Sequence, residues 1–165
     1  MSAEVNDVFC SGVDLLKSCN FKILLKNPAK TIEWFVQESN LPGFQLGEMN
    51  VPWMAQNQRR PGDMHTWNPL NLSVLCDEKL KAFKEAHSLS LALKHPGTGE
   101  MGVPKDELFD AKLIILTNKN NYQHEITFHD AWLQMVSDIQ LTHTSAEDDP
   151  VVFQVEFLYD WYSIT

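Results

Sequence analysis

The sequence predicts a mainly β chain: an antiparallel β-sandwich or small barrel with one docked α-helix and a long extended arm. Three observations carry this. From Val151 to Trp161 the chain alternates, with Val151, Phe153, Val155, Phe157, Tyr159 and Trp161 on one face and Gln154, Glu156 and Asp160 on the other. Other β-rich runs lie either side of short turns at Asn27-Pro28-Ala29-Lys30 and Asn118-Lys119-Asn120-Asn121, and connections that short join antiparallel strands. One stretch has helical spacing: Leu80, Phe83, Ala86, Leu89 and Leu93 form an apolar stripe over residues 78–94.

Taken in order, residues 1–19 read as an N-terminal arm with a short helical turn near Val13-Asp14-Leu15-Leu16-Lys17. Phe21, Ile23 and Leu25 alternate with Lys22 and Lys26, a strand with one wet face. Thr31 to Val36 is β-branched and aromatic, which predicts a second strand folding back on the first. Leu41-Pro42-Gly43 is a sharp turn, and it opens a polar excursion over residues 43–66. That excursion holds Glu48, Trp53, Met54, Arg59, Arg60 and Asp63 and leads to Trp67, with too little apolar periodicity to bury itself. Long loops in compact domains are functional or disordered, and disordered segments are poor in large apolar residues. The excursion therefore reads as an arm that orders against another copy of the chain.

Leu70, Leu72 and Val74 then point one way, with Asn71 and Ser73 the other. Asp77 is placed to cap the helix, Lys79, Lys81, Lys84 and Glu85 form its wet face, and His95-Pro96-Gly97 ends it. Residues 97–110 are a Gly- and Pro-containing loop. Lys112 to Thr117 is apolar on both faces, Tyr122 to Phe128 returns, and Ala131-Trp132 marks a bend. Ser137 to Thr142 is a further expected strand, and Ser145 to Pro150 an acidic turn.

With 165 residues the chain is long enough for one domain with a real core, and no apolar run reaches the ~20 residues of a membrane-spanning helix. The polar, acidic start Met1 to Asp7 does not look like a secretory signal, so synthesis in a cytoplasm is expected. A formal charge of −9 argues against a surface that grips nucleic acid, yet suits a wall that DNA passes without sticking. Cys10, Cys19 and Cys76 lack CxxC spacing and are expected as free thiols, with an intersubunit bridge from Cys10 or Cys19 the lesser reading.

Nothing in the sequence argues for catalysis, a cofactor or a metal. Gly97-Thr98-Gly99-Glu100-Met101-Gly102 has phosphate-loop spacing, but a helix precedes it and Val103-Pro104 follows, the wrong setting. Lys105 to Leu108 spells a retention signal away from a C-terminus, where it is not read. His124 and His129 are five apart, which on one strand puts them on opposite faces. Arg59 and Arg60 suit acidic groups of a neighbouring subunit better than phosphate, given the negative background. Trp53 and Trp67 can serve either their own domain or a neighbour.

In order, the strand pair 21–36, Leu41-Pro42-Gly43, Val51-Pro52-Trp53-Met54, Arg60-Pro61-Gly62-Asp63 and Trp67 to Glu78 resemble the tail tube proteins of contractile-tailed bacteriophages. Ile126 to Trp132, the acidic turn before Val151 and the ending Phe157-Leu158-Tyr159-Asp160-Trp161 are similar too, so the resemblance spans about residues 20–162. It implies a ring-forming tail-tube fold: six copies in a ring, and rings stacked into a hollow tube inside a contractile sheath. The arm after Leu41-Pro42-Gly43 would contact neighbouring subunits, through Leu41, Pro42, Gly43, Trp53, Met54, Arg59, Arg60, Asp63 and Trp67. Implied partners are the sheath protein, baseplate proteins, a tape-measure protein in the lumen and DNA in transit, in a virion tail with no membrane anchor. Residues 96–109 do not match the pattern, and residues 104–129 look closer to the baseplate protein that initiates the tube. The chain lacks the extra regions of some initiators, which favours the bulk tube. The alternatives are the initiator ring, the inner tube of a phage-derived injection system and, in another class, a small β-sandwich binding domain with its site in residues 43–66.

Overall fold

The computed structural model describes residues 20–25, 30–54, 56–97, 99, 108–117, 119–141 and 150–165. The N-terminal arm, the 27–29 turn, most of the 96–109 loop, the acidic turn through Asp149, Cys10 and Cys19 lie outside them. Nine strands and two helices are present among the described residues, and the chain is mainly antiparallel β as expected. The order is β1 (Phe21–Leu25), α1 (Lys30–Phe35), β2 (Val36–Ser39), β3 (Phe44–Trp53), β4 (Gln56–Trp67), β5 (Leu70–Leu75) and α2 (Lys81–Leu93). It continues with β6 (Phe109–Leu116), β7 (Tyr122–Val136), β8 (Val152–Leu158) and β9 (Trp161–Ile164).

One seven-stranded sheet runs β1-β6-β7-β8-β5-β2, with β9 paired to β7 off that path. Strand β7 makes this possible. Its first half pairs with β6 and β9, its second half with β8, and between them Asp130 sits at φ 54. An Asp tolerates that left-handed conformation better than most residues. The expected bend at Ala131-Trp132 is therefore a turn within one continuous strand. The two halves enclose a core in which Ile23, Leu70, Leu72, Val74, Leu113, Ile126, Phe128, Phe153, Val155 and Phe157 are buried. The alternation of β1, β5 and β8 stands as read: Ile23 and Leu25, then Leu70, Leu72 and Val74, then Phe153, Val155 and Phe157 face in.

Several expectations are corrected. Residues 31–35 are helix, and only from Val36 does the chain become a strand, pairing with β5 and not with β1. The cause lies 54 residues beyond Thr31. The Glu85 carboxylate, on α2, accepts hydrogen bonds from the Thr31 amide at 2.8 Å, the Ile32 amide at 3.4 Å and the Thr31 hydroxyl. It satisfies the orphan donors of the first turn, and buried Ile32 anchors the other side. Helix α2 begins at Lys81 rather than 78, and its N-cap is Leu80 at φ 54 and not the expected Asp77, whose Oδ1 nevertheless accepts the Lys81 amide at 2.6 Å from three residues before the cap. Its buried residues are Ala82, Ala86 and Leu89, and Phe83 meets Phe153 edge-on at 5.7 Å. Leu80, expected in the apolar stripe, is exposed.

Residues 137–141 form no strand; instead the Ser137 hydroxyl accepts the Gln154 amide at 2.8 Å, and its own amide bonds the Gln154 carbonyl, ending the ladder. The last expected strand breaks after Leu158, so Tyr159 turns inward and Trp161 restarts as β9, half exposed. The outer face of β6 is less covered than expected. Beside partly exposed Ile114, Lys112 pairs with Glu125 at 2.7 Å, and the Tyr122 hydroxyl joins the same carboxylate. The lysine's hydrogen bond and charge hold the Glu125 carboxyl below the usual carboxylate range. Cys76 is a free, half-buried thiol, pushed up by burial and by the Asp77 carboxylate.

Candidate intersubunit surface

Residues 43–66, expected as an irregular arm, form a β-hairpin. Strands β3 and β4 pair with each other from Phe44↔Trp67 out to Trp53↔Gln56, and make a separate two-stranded sheet joined to no other strand among the described residues. At about 3.3 Å per residue, a ten-residue strand reaches some 33 Å. Nearly every described hairpin side chain is exposed, including Phe44, Leu46, Met49 and Met64. The alternation of Phe44 and Leu46 with Gln45 and Gly47 was the available signal for a strand here. It was masked because the apolar face meets no core.

The root of the hairpin is clamped. Asn40 Oδ1 accepts the Asn71 amide at 2.6 Å, its Nδ2 donates to the Pro69 carbonyl, and the Asn68 amide donates to the Gly43 carbonyl at 3.0 Å. The Tyr159 hydroxyl donates to the Asn68 carbonyl at 2.7 Å. Trp67 packs edge-on against Tyr162 at 4.8 Å, with Phe44 and His65 against its other sides, and remains partly exposed. Pro42 is buried at the same root, whereas Leu41 is half exposed.

Burial, then the neighbouring Tyr162, push the Tyr159 phenol up to about 12. The folded chain thus holds this proton more tightly than the unfolded one, where tyrosine titrates near ~10. The stabilisation is complete below about pH 10 and is lost as the pH rises towards about 12. Urea unfolding across that window should show wild type losing stability while Tyr159→Phe, about 1 kcal/mol weaker at neutral pH for want of the hydrogen bond, follows a flatter alkaline limb. Parallel limbs would assign the titration to another group.

Midway along the hairpin the register slips between Leu46 and Glu48, and Gly47 lies against Gly62. A Cβ on Gly62 would come within 2.9 Å of the Gly47 backbone, so this crossing admits only glycine without movement. Beyond it the distal hairpin carries Arg59 opposite Asn50 and Arg60 opposite Met49, and turns at Met54, which is 94% exposed at φ 52. Trp53 stands opposite Gln56 at the very end. The ion pairs among the described residues are Lys112 with Glu125 and His129 with Asp110, so Arg59, Arg60 and Asp63 have no charged partner there. The structure thus separates the expected residues into a clamped root (Pro42, Gly43, Trp67) and a free end (Met54, Arg59, Arg60). Exposed aromatics outside the expected set include Trp34, 81% exposed on α1, and Phe44 at the start of β3. The stretch holding Trp34 had been read as a strand face.

No grouping of His, Cys, Asp and Glu that could hold a metal occurs among the described residues. No described helix is long and apolar enough to cross a membrane.

No family model matches the chain. It is 24% identical over 132 residues to the tail tube terminator protein of Enterobacteria phage T4, covering 78% of this chain and 75% of that one. Among solved structures it superposes on the tube-terminating cap of the anti-feeding prophage with a TM-score of 0.70, at 12% identity, over 100% of this chain and 99% of the cap protein. It also superposes on the sheath/tube terminator of the PVC extracellular contractile injection system with a TM-score of 0.66 at 12% identity, over 94% and 99% of the two chains. All three are named as terminators of a tube. The chain therefore has the fold of contractile-tail tube and terminator proteins, and the resemblance to tail tube proteins read from its sequence is borne out.

Proposed function

We propose that this chain closes the inner tube of a contractile tail: copies assemble into a ring, six by the family pattern, that caps the end of a stack of tube rings. The observation that carries the reading is the hairpin. A two-stranded hairpin without further packing is marginal in water, so one of this length with exposed Phe44, Leu46, Met49 and Met64 requires cover from outside its own fold. A second copy is the economical source, because ring closure also covers the free edges of β1 and β2. The terminator role in preference to the bulk tube is supported by the likeness to a named phage terminator and to two terminating caps. Rings would stay single until a tube end is present. The tail sheath and baseplate are the neighbouring structures. A tape-measure protein and then DNA occupy the lumen, past a wall whose net negative charge does not hold them.

The bulk-tube reading has its own support in Leu41-Pro42-Gly43, Val51-Pro52-Trp53-Met54, Arg60-Pro61-Gly62-Asp63 and Trp67 to Glu78, which in that order resemble tail tube proteins. Negative-stain electron microscopy across a concentration series separates the two. Rings that stay single and attach to one end of pre-formed tubes are the expected result. Long spontaneous tubes would move the chain to the bulk tube, and a monomer of about 19 kDa with or without tubes would remove both readings.

A further inference from the structure

The seven-stranded sheet has its two ends in consecutive strands: β1 at one edge and β2 at the other, linked through α1. The sheet thus curls until both edges flank this short helix. Among the described residues the seam between them is open. A hollow of about 300 Å³ lies there, lined by Phe21, Lys22 and Ile23 from β1, Val36 and Gln37 from β2, and Glu33 from α1. Trp34 stands at its rim, 81% exposed. A large exposed aromatic beside an apolar hollow is the composition of an interface centre, not of ordinary surface.

The far end of the hairpin is the matching shape. Met54 projects from the turn, 94% exposed, and Arg59 and Arg60 follow on β4 without a charged partner among the described residues. A methionine side chain is flexible enough to fill an irregular apolar hollow, and its thioether is attracted to an aromatic ring. An arginine lies well on an indole face and pairs with a carboxylate, here Glu33. Among the described residues β3 and β4 pair only with each other, and Arg59 and Arg60 have no charged partner on their own chain.

We propose that Met54, Arg59 and Arg60 of one copy dock into the β1–β2 seam of the next, with Met54 in the hollow and an arginine on Trp34. This rests on the ring reading above and names the receptor for its hairpin. Docking head to tail in this way makes each contact heterologous, the arrangement that closes into a ring.

Cross-linking tests it. Copies carrying Trp34→Cys and copies carrying Met54→Cys are mixed with excess wild type, so that ring integrity does not depend on the variants. After treatment with a short bis-maleimide, rings are isolated and the peptide pair joining positions 34 and 54 is measured by mass spectrometry. The expected result is that pair at tenfold or more above a sample of dissociated chains. In parallel, Trp34→Ala raises the concentration for half-assembly tenfold or more while Trp34→Phe retains most of it; circular dichroism confirms the fold of each. Rings without the 34–54 pair would overturn the docking and leave the ring standing. The absence of rings in wild type would overturn the ring and the docking together.

Discussion

Phe128→Ala should lower the unfolding free energy by about 3–5 kcal/mol, the largest single effect expected in this chain. Phe128 is fully buried on β7 just before the bend. Its ring meets Tyr159 at 4.9 Å and Tyr162 at 5.7 Å, and its backbone pairs with both Ala111 on β6 and Tyr162 on β9. Removing the ring loses the transfer free energy of the side chain and leaves a cavity that the paired strands cannot close. The same aromatic group carries Trp67, which meets Tyr162, so the root of the hairpin loosens as well. Natural domains hold only about 5–15 kcal/mol in total, so the variant sits near the threshold of folding. Urea unfolding with a global probe measures it. A loss under about 1 kcal/mol would mean that the strands around the bend relax into the space, and that the bend is softer than its backbone pairing indicates.

Gly62→Val should have the opposite profile: little change in the stability of the single chain, and a loss of assembly of tenfold or more. The residue lies on the hairpin, where the Cβ would meet the Gly47 backbone at 2.9 Å. Backbone on the opposing strand cannot step aside as a flexible side chain would, and overpacking of this kind costs about 1–3 kcal/mol. The hairpin contributes little to the buried core, so that cost is met by local opening and not by global unfolding. The two strands splay beyond Gly47, and Met54, Arg59 and Arg60 no longer point where the clamped root aims them. Analytical ultracentrifugation alongside thermal melting reads both parts at once. Melting and assembly falling together would show the hairpin to be part of the folding unit; assembly unchanged would remove it from the interface.

The period-two alternations were legible in the sequence because they are local and each faces the same core along its length. Leu70, Leu72 and Val74 on β5, and Phe153, Val155 and Phe157 on β8, read as strand faces and are strand faces, now paired with each other in register. The candidate site was legible in outline. Residues 43–66 were recognised as an excursion without its own core, and Met54, Arg59 and Arg60 do stand free.

Tertiary structure decided the rest. Thr31 to Phe35 has strand-forming residues, yet becomes a helix because a carboxylate from Glu85 on a distant helix satisfies its amides. The hairpin forms from a polar sequence because its bonding is backbone to backbone, which side-chain periodicity does not report. Trp161 continues the alternation on paper but is exposed, since the chain breaks at Asp160 and re-pairs with β7 as a separate strand. By itself the sequence determined where apolar faces lie, since a strand's faces follow from its own residues. Which strands those faces meet, where a helix is capped from afar and what the two sheet edges leave open between them depend on groups brought together only by folding.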